Sequence, residues 1–182
     1  MDENKIPLNL YAEDTKQAHE HCKICGVNLR DVDTYGIQKV YKNYPNQKKA
    51  QVLFDFALCM PCMESARAEL SQESRQRIDL FMREKMMDLA LSGISPSERY
   101  QQQQCTLSGK DLNEANDYQV IAICQGENLV ESPIYISDEI LDEIQELLSA
   151  KSRDELDRFT ENNLDWPPEL KALIKQGDWL PI

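Results

Sequence analysis

Cys22-Lys-Ile-Cys25-Gly26 and Cys59-Met-Pro-Cys62, with thirty-three residues between Cys25 and Cys59, are the stretch on which the reading of this chain turns. In a tight turn residues i and i+3 come together, so each Cys-x-x-Cys pair can span one edge of a tetrahedron of thiolates around a metal ion. The intervening segment is long enough for a β-hairpin that returns the chain to the same ion. Gly26 directly follows the first pair, which suits a turn whose amides face the sulfurs and which needs a positive φ. The second pair lacks such a glycine and runs into a helix, whose N-terminal amides favour thiolate anions. This arrangement predicts one structural zinc ion per chain on Cys22, Cys25, Cys59 and Cys62. Sequence alone leaves iron open as the alternative.

Working outward, Tyr35 to Tyr41 and Gln51 to Leu58 read as strands, with Pro45-Asn46 as the turn signal between them. Helix follows from about Pro61, where a missing N–H costs nothing. Ser71 is placed to cap a second helix, on which Ile78, Phe81, Met82 and Met86 recur at helical spacing as core residues. A cysteine turn, a hairpin, then a cysteine pair at a helix start resembles the treble-clef zinc finger, over roughly Cys22 to Leu70. The resemblance implies an α+β unit with a closed structural metal site. It implies no particular activity, because that architecture serves many roles.

The pattern recurs. Cys105-Thr-Leu-Ser108-Gly109-Lys-Asp-Leu112 repeats Cys22 to Leu29 at an offset of 83, and Leu148-Ser149-x-x-Ser152-Arg153 repeats Leu70-Ser71-x-x-Ser74-Arg75 at an offset of 78. The difference fits a longer hairpin loop in the first half, around Asn43 to Ala50. In the second half Tyr118 to Cys124 and Ser132 to Ile136 read as strands. Ser137-Asp-Glu opens a helix through Leu148, and Ser152-Arg-Asp-Glu155 reads as a capping box for the next. The four ligands map onto Cys105, Ser108, Ser137 and Ile140, so the second copy is expected to be metal-free. The expected fold is therefore α+β: tandem duplicated treble-clef-like units, the first zinc-bound and the second not. Residues 1–95 form the first and 96–182 the second, which ends in a Trp/Pro-rich tail. Ser92 to Gln104 reads as the linker, although its glutamines could extend a helix.

The net charge of −12 disfavours nucleic acid and anionic membranes as partners of the whole surface. No apolar run approaches the roughly 18 residues that cross a bilayer. The acidic start carries no signal-peptide pattern, so a cytoplasmic, reducing compartment is expected, where paired Cys-x-x-Cys motifs bind metal or do redox chemistry. Cys124 reads as a buried small residue, and His19 and His21 as surface residues flanking the first turn.

A zinc ion saturated by four cysteines leaves no position for water or substrate. No Gly-rich phosphate loop, H-E-x-x-H or G-x-S-x-G is present. The expected function is thus that of a non-catalytic, zinc-stabilised protein-binding module. Cys59-Met-Pro-Cys62 after a strand also resembles the active-site element of thioredoxins, which makes a thiol–disulfide oxidoreductase the enzymatic alternative. A third possibility is nucleic-acid contact through a basic, aromatic hairpin carrying Tyr35, Lys39, Tyr41, Lys42, Tyr44, Lys48 and Lys49. Trp166 and Trp179, in short proline-broken apolar segments, are the other candidate contact surface, or else pack over the second helix pair.

Overall fold

The structure is a computed structural model that describes residues 4–164 and Pro168. It is a mixed α+β fold around one antiparallel sheet. Strand β1 (Tyr35–Lys42) pairs with β2 (Gln51–Cys59) and with β3 (Asp117–Gln125). Strands β4 (Asn128–Leu129) and β5 (Ile134–Ser137) both pair with β3 on its far side. The helices are α1 (Met60–Ala68), α2 (Gln72–Ser92), α3 (Pro96–Gln101), α4 (Asp138–Leu147) and α5 (Ala150–Asn163).

Central strand β1 is buried on both faces over its first six residues, which suits a strand covered above and below. Its alternation assigns the two layers. Gly36, Gln38 and Val40 share a face with Leu58, Phe56 and Phe54 of β2. Helix α1 lies on that face, so close that a Cβ on Gly36 would meet Met63 Sδ at 2.6 Å. On the opposite face Lys39 Nζ donates to Tyr11 O at 2.8 Å and the Tyr41 hydroxyl to Asn9 O at 3.1 Å, so the N-terminal segment covers it. Ile136, Ile140 and Ile144 are fully buried in the same continuous core as Ile37, Val40 and Val120.

The two cysteine turns have matching hydrogen bonds. Cys22 N–H donates to Val27 O and Cys105 N–H to Lys110 O; Gly26 N–H donates to Cys22 O and Gly109 N–H to Cys105 O. Gly26 and Gly109 take φ of 73° and 78°, the conformation their turns require. A 3₁₀ turn follows each, at Leu29–Asp31 and Leu112–Glu114. Each turn is laced to the strand that closes it, by Lys23 N–H to Ala57 O and by Thr106 N–H to Tyr135 O. Helices α2 and α5 begin side by side. Ser71 N–H donates to Ser152 Oγ at 2.9 Å, Ser149 N–H to Ser74 Oγ at 2.9 Å, and Ser152 Oγ–H to Ser74 Oγ at 3.0 Å.

Three expectations are corrected. The segment read as a linker contains α3, started by a capping box in which Ser95 and Glu98 bond each other's backbone. The boundary placed between residues 95 and 96 thus falls inside that cap. Ser149, not Ser152, caps α5; Ser152 lies in its first turn and is buried in the serine quartet. Met86 is 40% exposed, outside the core.

Candidate metal centre

The sulfurs of Cys22, Cys25, Cys59 and Cys62 all lie within 4.8 Å of one another, so these four residues could hold a metal ion. Cys25 Sγ and Cys59 Sγ are 3.6 Å apart. A tetrahedron with metal–sulfur bonds of about 2.3 Å has edges of about 3.8 Å, so the cluster is already near the size a zinc ion demands. Two pieces of backbone bring the sulfurs together. The glycine turn supplies Cys22, buried, and Cys25, exposed. Cys59 ends β2 and is the N-cap of α1, with extended backbone, while Cys62 sits in the helix's first turn beside Pro61.

The electrostatics fit a cation. Burial opposes ionisation of Cys22, but backbone N–H groups of Cys25, Cys59 and Ile24 outweigh it and bring its pKa down to about 7. Burial, aided by the Cys25 and Cys22 thiols, raises Cys59. Burial and the three neighbouring sulfurs push Cys62 up as well. Four thiols packed this closely cannot all ionise alone; a divalent ion among them removes that conflict. The donor set is all sulfur, which suits a soft or borderline metal.

At the matching place in the second half the side chains do something else. Cys105 is fully buried and its sulfur accepts the Ser137 N–H at 3.4 Å. Ser108 is exposed, and Ile140, which matches Cys62 at the sequence offset of 78, is fully buried and offers only an alkyl group. The turn is tied to the start of α4 by Lys110, whose ammonium lies 3.0 Å from Asp138 and 3.7 Å from Glu139. Asp138 also accepts from Asn116 N–H and Nδ2 at 2.8 and 3.0 Å. Burial opposes the Asp138 charge, but these donors and Lys110 win and hold its carboxyl below the usual range. An ion pair thus joins the turn to the helix where the first half has its cysteine cluster.

The hairpin residues are not gathered into one exposed finger. Tyr35 is buried, its hydroxyl donating to Gly126 O at 2.7 Å. Lys39 is buried in an ion cluster with Glu13 at 3.0 Å and Asp55 at 3.5 Å. Tyr41 stacks on Tyr118 at 4.9 Å. Lys42 is half-buried; Tyr44, Lys48 and Lys49 alone are exposed. The physical reason is strand alternation: Tyr35, Lys39 and Tyr41 point to the face covered by the N-terminal segment. Trp166 and Trp179 lie outside the described residues. His21 is exposed, but His19 is not a surface residue. Its side chain is 10% exposed and its Nε2 lies 4.0 Å from Asp55. Burial lowers its pKa, with Asp55 opposing. Cys124 is buried, as its apolar run implies.

Among the described residues no helix is long and apolar enough to cross a membrane. No family model, curated protein or solved structure matches the chain.

Proposed function

We propose that this chain is a non-catalytic protein-interaction module of the cytoplasm, built from two tandem treble-clef-like units. The first closes on one structural zinc ion, and the second holds the same shape without metal. The observation that carries the reading is the cluster of four cysteine sulfurs within 4.8 Å. Four thiolates fill the coordination of zinc, so the ion supplies cross-linking and not Lewis-acid chemistry. Tandem duplication is supported by the paired turn hydrogen bonds, the two positive-φ glycines and the reciprocal serine contacts. A unit that keeps its backbone while exchanging thiolates for Ser108, Ser137 and Ile140 is more easily understood as a scaffold than as a catalyst.

Metal analysis and turnover assays on the same purified protein test this. The expected result is about one zinc per chain, no disulfide reduction with insulin and no cleavage of nucleic acid. No metal, or two zinc ions per chain, would sink the site. Iron with a reddish absorbance would turn the reading to electron transfer. Insulin reduction by the zinc-loaded protein, abolished by Cys62→Ser in a still-folded chain, would replace the module with a thiol oxidoreductase. Nucleic-acid contact retains Lys42, Tyr44, Lys48 and Lys49 as its candidates. Binding of an oligonucleotide that is lost on replacing the three lysines with Glu would favour it.

A further inference from the structure

Where α1 ends and the first two turns of α2 begin, the surface opens into a cleft of about 410 Å³ lined by Arg67, Gln72, Arg75, Gln76 and Asp79. Two of these side chains are guanidinium groups and only one is a carboxylate. Asp79 is taken by Arg67, in an ion pair whose members are 51% and 47% exposed. Arg75 is left over. Its Nε is shut away from water with no hydrogen-bond partner, and among the described residues its guanidinium makes no ion pair. A buried donor without a partner costs free energy, which native structures recover through a water, an ion or a ligand.

The second half supplies an internal comparison. At the offset of 78 the same positions hold Gln145, Ala150, Arg153, Asp154 and Asp157, all within α4 and α5. There Arg153 Nη2 donates to Gln145 O at 3.1 Å, across the last turn of α4. The main chain is alike at the two places: Arg67 O accepts from Leu70 N–H as Gln145 O accepts from Leu148 N–H. The side chains differ. Two arginines and one aspartate leave the first place net positive, in a chain of net charge −12, whereas one arginine and two aspartates leave the second net negative. The balance also selects a ligand. One surplus positive charge matches a carboxylate monoanion, while a phosphate dianion would be repelled by Asp79. A guanidinium presents two parallel N–H groups to the two oxygens of a carboxylate. Gln72 and Gln76, one turn apart and on the same face of α2 as Arg75, add neutral amide donors.

We infer that this cleft docks a carboxylate from an acidic segment of a partner protein, with Arg75 as its anchor. The inference rests on the proposed reading as a protein-interaction module and names the chemistry of one contact. In a proton–nitrogen NMR spectrum of the full chain, the Arg75 Nε–H resonance, assigned by its loss in Arg75→Lys, reports on the cleft directly. Titration with an end-blocked oligoglutamate peptide should shift that resonance to a plateau. Inorganic phosphate, at a pH where it is a dianion, should bind several-fold more weakly. Arg75→Lys keeps the charge but not the fork, and should weaken peptide binding about tenfold, read from the backbone amides of residues 72 and 76. Arg153→Lys should leave binding unchanged. Gln72 and Gln76 are exposed, so replacing both with Glu supplies a second variant that folding should tolerate; it reverses the charge of the cleft and should abolish binding. A resonance that the peptide does not move overturns the inference. So does peptide binding that survives either cleft variant, an equal loss in Arg153→Lys, or phosphate binding as tight as the peptide's. Zinc content and turnover enter none of these outcomes. A wrong metal count or insulin reduction would sink the proposed function and leave this site standing, and a silent titration would do the reverse.

Discussion

At the scale of single residues, the buried cation Lys39 shows how strand alternation decides what a charged side chain does. Its ammonium is paired with Glu13 and Asp55, and both Lys39 and Asp55 are largely shielded from water. Replacing Lys39 with Met leaves the partly buried Asp55 without its ammonium partner, which costs up to about 3 kcal/mol; urea denaturation with excess zinc would measure it. A charge swap there therefore tests folding before it tests any partner. Cys59→Ser should abolish metal binding, whereas Cys105→Ala should keep it and cost roughly 1–2 kcal/mol through packing; elemental analysis separates the two. Zinc loss in the second variant would mean that Cys105 serves the first site. Asp138 provides a pH signature. Its folded pKa is depressed, so its stabilising contribution is present above the unfolded value, about 3.9, and is lost as pH falls through the lower folded one. Asp138→Asn should be less stable than wild type near neutrality, and the difference should shrink on acidification below about pH 4 in denaturation curves.

At the scale of elements, the serine quartet is the hinge on which both helical pairs rest. Ser74→Ala and Ser152→Ala should each cost about 1 kcal/mol. The double variant should cost less than their sum, because one shared network is lost. The second unit makes a stronger test of the proposed duplication. Ser108→Cys, Ser137→Cys and Ile140→Cys, joined to Cys105, should raise zinc from one ion to two per chain; a folded triple variant that stays at one would count against it. Much of this scale was legible in the sequence. The strands, the Ser71 cap and the cysteine cluster follow from alternation, capping chemistry and spacing, which are local. Ser149 was legible too, since it matches Ser71 in the repeat, but Ser152-x-x-Glu155 offered a competing capping pattern that tertiary burial of Ser152 defeats. What the sequence could not carry was long-range pairing. Lys110 with Asp138, Lys39 with Asp55, and the burial of Tyr35 depend on which segment covers which face, and no local signal encodes that.

At the scale of the whole molecule, the cysteine cluster is continuous with the sheet, because Cys59 is the last residue of β2. The proposed zinc ion, bound by four cysteines, would contribute on the order of 10 kcal/mol, comparable with the net stability of a domain. Its removal should not stop at the first unit, because β1 lies along β3 for eight residues. After chelation, hydrogen exchange should accelerate first in the cysteine turn and α1 and then in β3; protection confined to a fully intact β3 would show the halves to be energetically independent. That shared pairing has a further consequence. Gln38 lies opposite Ile121, its own counterpart at the offset of 83, while Ile37 and Lys39 face Ala122 and Val120, the counterparts of Lys39 and Ile37. The register is that of a strand meeting its own image across a twofold axis. A polypeptide comprising only residues 4–92 would carry one half of that symmetric seam, and its open β1 edge has the pattern to pair with another copy of itself. On the proposed duplication, the chain would be a homodimer fused end to end, whose two halves were afterwards free to diverge, one toward a cysteine cluster and the other toward an ion pair.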